Sequence, residues 1–492
     1  MPKNTINLNI AELMQTSGVK FGTSGARGLA SDMRNHVCYA YTLAFLHYLL
    51  DEAWIQQGDA VAIAGDYRSS SPRIMNAVAH AIQDAGCHAI NTGFIPTPAV
   101  AYFAMQQGIA SIMVTGSHIP DDRNGIKFYK PKGEILKHDE QALCSQNVQI
   151  SQSLFEQDDD HWQQILPEIE PVARQLYIQR YLDFFPKDCL KGLHIGVYQH
   201  STVLRDIMKD VVEGLGGSAL CLGHSDHFIP VDTEAIRPED VTLARKWCKE
   251  YTLDALISAD GDGDRPLISN AQGEWLRGDI AGILCAHYLQ AESIVTPISS
   301  NTAVEKSGLF KHVIRTRIGS PYVIEAMNQA MQQGETSVMG YEANGGFLIA
   351  TDVVLHGQTL AALPTRDAII VPLTILLLAT QQQQTVHGLC QTLPARFTSS
   401  GRLKDFPNPI SSEKLQALQH IDAAEAIFSH SFGKIKDIDT TDGVRISFEH
   451  DEIVHLRASG NAPELRCYNE ADRASRALEM NQQCLAYLET WR

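Results

Sequence analysis

The sequence predicts an α/β protein of several domains, and three observations carry this prediction. Short apolar segments such as 60–64 and 111–114 alternate with helical segments such as 37–54 and 72–85, which is typical of mostly parallel sheets. Strand, polar turn and helix recur in three units of about 100–150 residues, which indicates a weak structural repeat. A chain of 492 residues also exceeds what one hydrophobic core usually serves.

The first unit follows from the chain in order. Residues up to about 19 lack strong periodicity and predict an arm or a short helix. A Gly-rich turn at 22–28 precedes a long amphipathic helix at 37–54. After the strand at 60–64 and the helix at 72–85, a strand begins at 88–91 and another at 111–114. The polar segment 151–164 predicts a solvated connection.

Two more units and a different C-terminal segment follow. Apolar strands at 193–198 and 255–258 mark the second unit, and residues from 293 to the glutamines at 381–384 form the third, which includes the chain's longest apolar run. That run, 368–379, is shorter than the roughly 20 residues of a membrane span and predicts a buried helix. The last segment predicts paired antiparallel strands at 445–448 and 453–456 and a closing helix at 471–488.

The expected domain boundaries place one chemical motif in each domain. Residues 1–165 carry a serine loop, 166–277 an acidic loop, 278–390 a Glu/Asn loop and 391–492 a basic loop. We expect three related α/β domains with mixed, mostly parallel sheets and a smaller α+β C-terminal domain.

Composition limits the partners and the compartment. The formal charge of −17 argues against nucleic acid, and any anionic substrate therefore needs a locally basic site. No basic and apolar leader opens the sequence, so we expect no signal peptide and no membrane association. Ten scattered cysteines without a Cys-x-x-Cys pair indicate reduced thiols, as in a cytoplasm.

The segment 111–127 carries the candidate nucleophile. Ser117 follows the apolar strand, on a turn that Gly116 permits, with His118 beside it and Lys127 downstream. Ligands of open α/β sheets bind outside the carboxyl ends of strands, so this hydroxyl could act as a nucleophile or carry a phosphoryl group. Taken alone, a plain surface turn is the more common alternative.

The acidic loop predicts a metal site. Asp260, Asp262 and Asp264 alternate with glycines directly after an apolar strand, and clustered carboxylates repel one another unless a cation lies among them. A calcium EF-hand does not fit, because Arg265 stands at position six and Ala271 at position twelve. Oxygen ligands alone suit a hard ion, most of all magnesium.

Two further motifs predict substrate contacts. Residues 457–466 offer guanidinium groups and a hydroxyl that suit a phosphate dianion, although a surface turn with ordinary arginines explains them as well. Glu342 and Asn344, next to Gly345 and Gly346, offer acceptors and donors for sugar hydroxyls. Arg317 lies in the separate segment 316–322.

Together and in this order, the motifs at 21–28, 111–127, 258–265, 340–346 and 457–466 resemble those of the α-D-phosphohexomutase family, over nearly the whole chain. The resemblance implies four domains around a central cleft, one Mg²⁺ per chain and a hexose 1,6-bisphosphate as intermediate and activator. It implies catalytic roles for Ser117, His118, Lys127, Arg27 and Arg265, and metal ligation by Ser117, Asp260, Asp262 and Asp264. The implied substrate contacts are Glu342, Asn344, Arg317, Arg457, Ser459, Gly460, Asn461 and Arg466.

The resemblance favours interconversion of mannose 6-phosphate and mannose 1-phosphate, and we expect glucose phosphates as further substrates of the same site. Phosphoglucomutase, phosphoglucosamine mutase, a metal-dependent sugar phosphatase and a non-catalytic sugar-phosphate binding protein stay open as alternatives. The chain departs from the family pattern at Ile119, Asn344 and Gly346. Partners are expected to be small hexose phosphates, with a monomer or a homodimer as the assembly.

Overall fold

The structure is a computed structural model that describes residues 5–22, 25–459 and 463–492. The strands of its first unit are β1 (Thr5–Asn9), β2 (Lys20–Phe21), β3 (Ala26–Leu29), β4 (Ala60–Gly65), β5 (His88–Asn91), β6 (Ala110–Val114), β7 (Arg123–Lys130), β8 (Gly133–Glu134) and β9 (Asn147–Ser151). The helices are α1 (Ile10–Thr16), α2 (Asn35–Asp51), α3 (Ser71–Asp84), α4 (Thr97–Gln107), α5 (Lys137–Cys144) and α6 (Gln152–Glu156), followed by a 3₁₀ turn, Asp159–His161.

The seven-stranded sheet of this unit is mixed. Strands β5, β4 and β6 are parallel, as the alternating pattern predicts. The sheet then continues antiparallel through β7, β3 and β2, with β8 paired to β7, and this extension was not predicted. Because β6 is central, the residues after its carboxyl end emerge in the middle of the sheet edge.

Helix α2 differs from the amphipathic helix that its sequence predicts. Most of its residues from Asn35 to Leu49 are buried, on every face. The reason is tertiary: α2 packs on α3 and β7, while β9 and α5 cover its other side. Burial on all sides removes the need for a polar face.

The polar connection at 151–164 is only partly solvated. The carboxylate of Asp159 accepts hydrogen bonds from Arg34, Arg73 and the Asn35 backbone, and Trp162 is buried. Charge density predicted an exposed segment, but ion pairs tie it to the first unit.

The second and third units repeat one plan. The second contains α7 (Val172–Phe184), β10 (His194–His200), α8 (Arg205–Gly214), β11 (Ser218–His224), α9 (Pro238–Tyr251), β12 (Ala255–Ala259) and β13 (Pro266–Ile268). The third contains α10 (Gly278–Tyr288), β14 (Ser293–Pro297), α11 (Ala303–Lys306), β15 (His312–Thr316), α12 (Ser320–Gln332), β16 (Val338–Tyr341), β17 (Phe347–Ile349), β18 (Val353–Leu355), β19 (Gln358–Leu360), α13 (Ile370–Gln381) and α14 (Val386–Thr392). The sheet orders are β11-β10-β12-β13 and β15-β14-β16-β17.

The shared plan of the three units places their motifs at equivalent positions of the sheets. In each unit a buried strand ends in a loop and returns as an antiparallel neighbour: β6 to β7, β12 to β13, and β16 to β17. The serine loop, the acidic loop and the Glu/Asn loop occupy these three equivalent turns. A shared apolar core that includes the buried helix α13 joins the three units, so their loops are held in a fixed relation.

The fourth unit is distinct, as predicted. It contains β20 (Phe397–Leu403), α15 (Asn408–Ala417), α16 (Ile421–Phe432), β21 (Ile435–Asp439), β22 (Val444–Phe448), β23 (Ile453–Ala458), β24 (Leu465–Ala471) and α17 (Ala474–Glu489). Its five strands are antiparallel in the order β20-β24-β23-β22-β21, and it has its own apolar core. Within the described ranges, no helix is long and apolar enough to cross a bilayer.

Candidate active site

Ser117 lies buried in a constrained turn at the end of β6. Its φ of 56° is in the left-handed region, which costs a non-glycine residue about 1–2 kcal/mol and persists only where neighbours hold it. The Ser117 backbone N–H donates to Thr115 Oγ1 at 2.7 Å. Its hydroxyl donates to Asp260 Oδ2 at 2.7 Å, which joins the serine loop to the acidic loop of the second unit.

The three aspartates converge as the spacing predicts. Asp260, Asp262 and Asp264 are all fully buried, and one carboxylate oxygen of each lies within 4.8 Å of the others. Lys127 Nζ lies 2.6 Å from both Asp262 Oδ2 and Asp264 Oδ2. Arg265 Nε lies 3.8 Å from Asp260 Oδ2 and Arg366 Nη2 lies 2.9 Å from Asp264 Oδ2, so three positive side chains face the three buried carboxylates.

The electrostatics of this cluster favour a cation. Burial and repulsion from Asp262 and Asp264 raise the pKa of the Asp260 carboxyl well above its usual range. Burial also opposes ionisation of Asp262, but Lys127, Thr97 and Arg366 together lower the pKa of that carboxyl below its usual value. Asp262 Oδ1 and Asp264 Oδ1 are buried and accept no hydrogen bond from the described part of the chain. Buried carboxylate oxygens without a hydrogen-bond donor fit a hard divalent ion such as Mg²⁺.

Basic groups surround the serine and the aspartates. Burial and the neighbouring Arg265 lower the pKa of the Arg27 guanidinium to about 10. In the described ranges Arg27 makes no ion pair closer than 4 Å, so its charge is available to an anion. His118 Nδ1 lies 2.9 Å from Arg265 Nη1 and 3.4 Å from Ser117 Oγ. Burial and the arginines hold the pKa of His118 well below its usual value, so its ring is neutral and accepts from Arg265.

The Glu/Asn loop meets the acidic loop through a residue that motif reasoning missed. Arg366 is buried, donates from Nη1 to Glu342 Oε2 at 3.3 Å and places Nη2 2.9 Å from Asp264 Oδ2. An arginine just before the apolar run 368–379 was the available signal. Asn344 Oδ1 accepts from the Gly346 backbone at 2.9 Å, which leaves its amide group for other contacts.

The basic loop of the fourth unit lies at the end of β23. Arg457 Nε donates to Asp442 Oδ1 at 2.8 Å, while Asp442 Oδ2 accepts from the Ile318 backbone at 2.9 Å. Asp442 therefore links the predicted phosphate-binding Arg457 to the segment that contains Arg317. Arg317 is exposed and stacks on Tyr322, with its carbon Cζ 4.9 Å from the ring centre.

Two more predicted contacts belong to the same loop. Ser459 is buried, and its backbone N–H donates to the Glu464 carbonyl at 2.8 Å. Burial and Asp232 raise the pKa of the half-buried Glu234, whereas the charges of Arg277, Arg466 and Arg265 lower it, so the basic loop and the acidic loop act on one carboxylate. Sequence reasoning missed Glu234, which belongs to no motif. Gly460 and Asn461, also predicted as contacts, lie outside the described residues.

Comparisons with known proteins agree with this arrangement. Models for phosphoglucomutase/phosphomannomutase domains match in three places: α/β/α domain I at residues 18–153, α/β/α domain III at 277–397 and the C-terminal domain at 408–486. A phosphomannomutase of Salmonella muenchen is 42% identical over 98% of this chain and 98% of its own. The chain belongs to the phosphoglucomutase/phosphomannomutase family. It is accordingly a phosphohexomutase, an enzyme that isomerises hexose phosphates.

Solved structures support the same fold. A phosphoglucomutase/phosphomannomutase family protein of Burkholderia thailandensis matches with a TM-score of 0.71 at 19% identity, over 95% of this chain and 97% of its own. An N-acetylphosphoglucosamine mutase of Aspergillus fumigatus, in complex with GlcNAc-6P and magnesium, matches with a TM-score of 0.58 at 14% identity, over 98% of each chain. The predicted four-part architecture is thereby confirmed.

Proposed function

We propose that this phosphohexomutase interconverts mannose 6-phosphate and mannose 1-phosphate through a phosphorylated Ser117 and a hexose 1,6-bisphosphate. The observation that carries the proposal is the hydrogen bond of 2.7 Å between Ser117 Oγ and Asp260 Oδ2. It sets a hydroxyl group against a buried carboxylate cluster that fits a divalent ion. The mannose preference rests on the relative of Salmonella muenchen, which is named a phosphomannomutase.

In the proposed reaction the bond between phosphorus and Ser117 Oγ breaks as the phosphoryl group moves to the free hydroxyl of the hexose phosphate. The proton of that hydroxyl ends on Ser117 Oγ, whose O–H donates to Asp260. The bisphosphate then reorients in the site, and its other phosphoryl group moves to Ser117 while the proton goes back to the sugar oxygen. No proton is consumed over the cycle.

Asp260, Asp262 and Asp264 would hold the magnesium ion, together with an oxygen of Ser117 or of its phosphate. When bound, the ion stabilises negative charge on the transferring phosphoryl group. The chain's own cations do the same from fixed positions: Arg27 lacks an ion-pair partner among the described residues, and Arg265 is oriented by His118. Lys127 balances two of the carboxylates. His118 is better suited to orienting Arg265 than to accepting a proton, because its Nδ1 already accepts from Arg265.

We assign the remaining predicted residues to the ends of the substrate. Arg457, Ser459, Arg466 and Arg317, with Gly460 and Asn461, would bind the phosphate that is not reacting. Glu342 and Asn344 would hydrogen-bond the hydroxyls O3 and O4 of the sugar. Mannose and glucose share both of these hydroxyls and differ at O2, so we propose that glucose phosphates are turned over as well.

Turnover of three substrates tests the proposal. Purified protein with Mg²⁺ and a trace of hexose 1,6-bisphosphate is given mannose 1-phosphate, glucose 1-phosphate and glucosamine 1-phosphate, and formation of each 6-phosphate is measured. We expect mannose 1-phosphate to react best and glucose 1-phosphate to follow within roughly a hundredfold in kcat/KM. Glucosamine 1-phosphate as the best substrate would identify a phosphoglucosamine mutase, and release of inorganic phosphate without isomerisation would identify a phosphatase.

A further inference from the structure

We propose that Arg68 is a positioning residue for phosphoryl transfer, because it clamps the serine loop in the conformation that Ser117 needs. This inference rests on the proposed function of Ser117. Arg68 follows β4, the parallel neighbour of β6, and only 1% of its surface is exposed. A fully buried arginine is rare unless its charge and its five N–H groups have partners.

The guanidinium of Arg68 binds four backbone carbonyls of one loop. Its Nη2 donates to the Ser117 carbonyl at 2.8 Å and to the Ile119 carbonyl at 2.6 Å. Its Nη1 donates to the Pro120 carbonyl at 2.5 Å and to the Arg123 carbonyl at 3.0 Å. Lysine could not reproduce this planar fork of donors from one point charge. Because these four carbonyl oxygens accept hydrogen bonds from Arg68, they cannot turn toward a phosphate dianion.

Asp66 completes a second hold on the same serine. Its Oδ2 accepts from Arg68 Nε at 3.0 Å and from Thr115 Oγ1 at 2.7 Å. Thr115 Oγ1 in turn accepts from the Ser117 backbone N–H. The backbone of Ser117 is therefore fixed on both sides, its N–H through Thr115 and its carbonyl through Arg68. This explains how a non-glycine residue keeps a φ of 56°.

The second unit covers the clamp with an aromatic ring. Phe228 lies over Arg68, with Cζ 3.9 Å from the ring centre. The ring also contacts the acidic loop, since a Cβ built on Gly261 would lie 2.7 Å from Phe228 Cζ and 2.8 Å from the Ser117 carbonyl. On the other side, a Cβ on Gly116 would lie 2.6 Å from Arg68 Cζ. Arg68 and Phe228 thus set the spacing between Ser117 and the aspartates.

The test compares Arg68→Lys with a matched control, Arg73→Lys. Arg73 lies on α3 of the same unit and also binds backbone carbonyls and a carboxylate, Asp159, but it does not touch the serine loop. We expect Arg68→Lys to lower kcat about 100-fold, the cost of a misplacement of order 1 Å at a reacting atom. The KM for hexose phosphate should change by less than about threefold, because the phosphate-binding residues are untouched. Arg73→Lys should keep the wild-type kcat.

Hydrogen exchange gives a readout that does not depend on activity. Arg68→Lys should speed amide exchange in residues 116–123 and leave residues 157–163 unchanged, and Arg73→Lys should do the opposite. A third variant, Phe228→Leu, should speed exchange at 116–123 by a smaller factor. Unaltered exchange at 116–123 in Arg68→Lys, or an equal loss of kcat in Arg73→Lys, would overturn the inference. A wild-type protein without mutase turnover would instead contradict the proposed function, while the exchange comparison would still decide whether Arg68 holds the loop.

Discussion

The pairing of Lys127 with the aspartates makes a prediction about metal-dependent stability. Lys127 and Lys130 are both buried on β7, and each lies 2.6 Å from a carboxylate oxygen. Lys127 pairs with Asp262 and Asp264, whereas Lys130 pairs with Asp139 alone, far from the acidic loop in sequence. Lys127→Met and Lys130→Met therefore each remove an ammonium group from a buried ion pair. Only the ion pair of Lys127 belongs to the candidate metal site.

The expected losses in the free energy of unfolding follow from the partners that each substitution leaves without its lysine. Removing one partner of a buried ion pair typically costs about 3–5 kcal/mol, so without metal both variants should unfold at lower urea concentration than the wild type. Asp139 keeps hydrogen bonds from Tyr48 and from the Leu136 backbone. In Lys127→Met, Asp262 keeps the hydrogen bond from Thr97 and Asp264 keeps Arg366, but the carboxylate cluster loses one positive charge and attracts a cation more strongly. At a magnesium concentration of a hundred times its Kd, binding restores about 2.7 kcal/mol.

The assay is urea unfolding in EDTA and in excess magnesium, followed by fluorescence. We expect magnesium to raise the unfolding midpoint of Lys127→Met more than that of the wild type, and to raise Lys130→Met only as much as the wild type. Asp262→Asn in the Lys127→Met background should abolish the extra gain. If magnesium stabilises the two lysine variants equally, the aspartates do not hold the ion and the reasoning fails.

Three other predictions follow from the site. Arg457→Ala should mainly raise KM, because the loss of a charged hydrogen bond weakens substrate binding by roughly 1.5–3 kcal/mol. Arg473→Ala, a change at an exposed arginine, should leave KM unchanged, and steady-state kinetics at saturating magnesium distinguishes the two variants. Glu342→Ala should lower kcat/KM for mannose and glucose phosphates by similar factors, and an effect confined to one epimer would show that Glu342 does not read their common hydroxyls. Burial lowers the pKa of His455 to about 4. The imidazole of His455 therefore binds a proton more tightly in the unfolded chain than in the folded protein. Its contribution to the free energy of unfolding is fully present above about pH 6.5 and falls toward pH 4, with a loss of about 2 kcal/mol at pH 5. In urea titrations at pH 8 and pH 5, His455→Gln should show a smaller loss than the wild type.

The central chemistry could be predicted from sequence because it is local. The serine loop and the acidic loop each follow a short apolar strand, so the strand pattern alone places Ser117 and the three aspartates at sheet edges. That these edges face one another depends on the packing of the units, which the resemblance implied and strand periodicity could not. The hydrogen bond from Ser117 to Asp260 joins residues 143 positions apart.

Other features lay beyond sequence reasoning for physical reasons. The antiparallel extension through β7, β3 and β2 arises from pairing of segments that carry no strong alternation. Arg68, Arg366 and Asp442 act through contacts across units or loops, and none of them lies in one of the five motifs. Helix α2 and the segment around Asp159 differ from expectation because neighbouring elements cover them, which composition alone does not reveal.

The most direct test of the account is the phosphorylation of Ser117. Wild-type protein and Ser117→Ala are incubated with magnesium and glucose 1,6-bisphosphate, freed of ligand, and weighed by intact-mass spectrometry, with peptide mapping to locate any added group. We expect the wild type to gain one phosphate on the peptide that contains Ser117, to lose it on addition of hexose 6-phosphate, and to isomerise that substrate. Ser117→Ala should gain none and should not turn over. Full mutase activity in Ser117→Ala, or a stable phosphate elsewhere in an active wild type, would contradict the account.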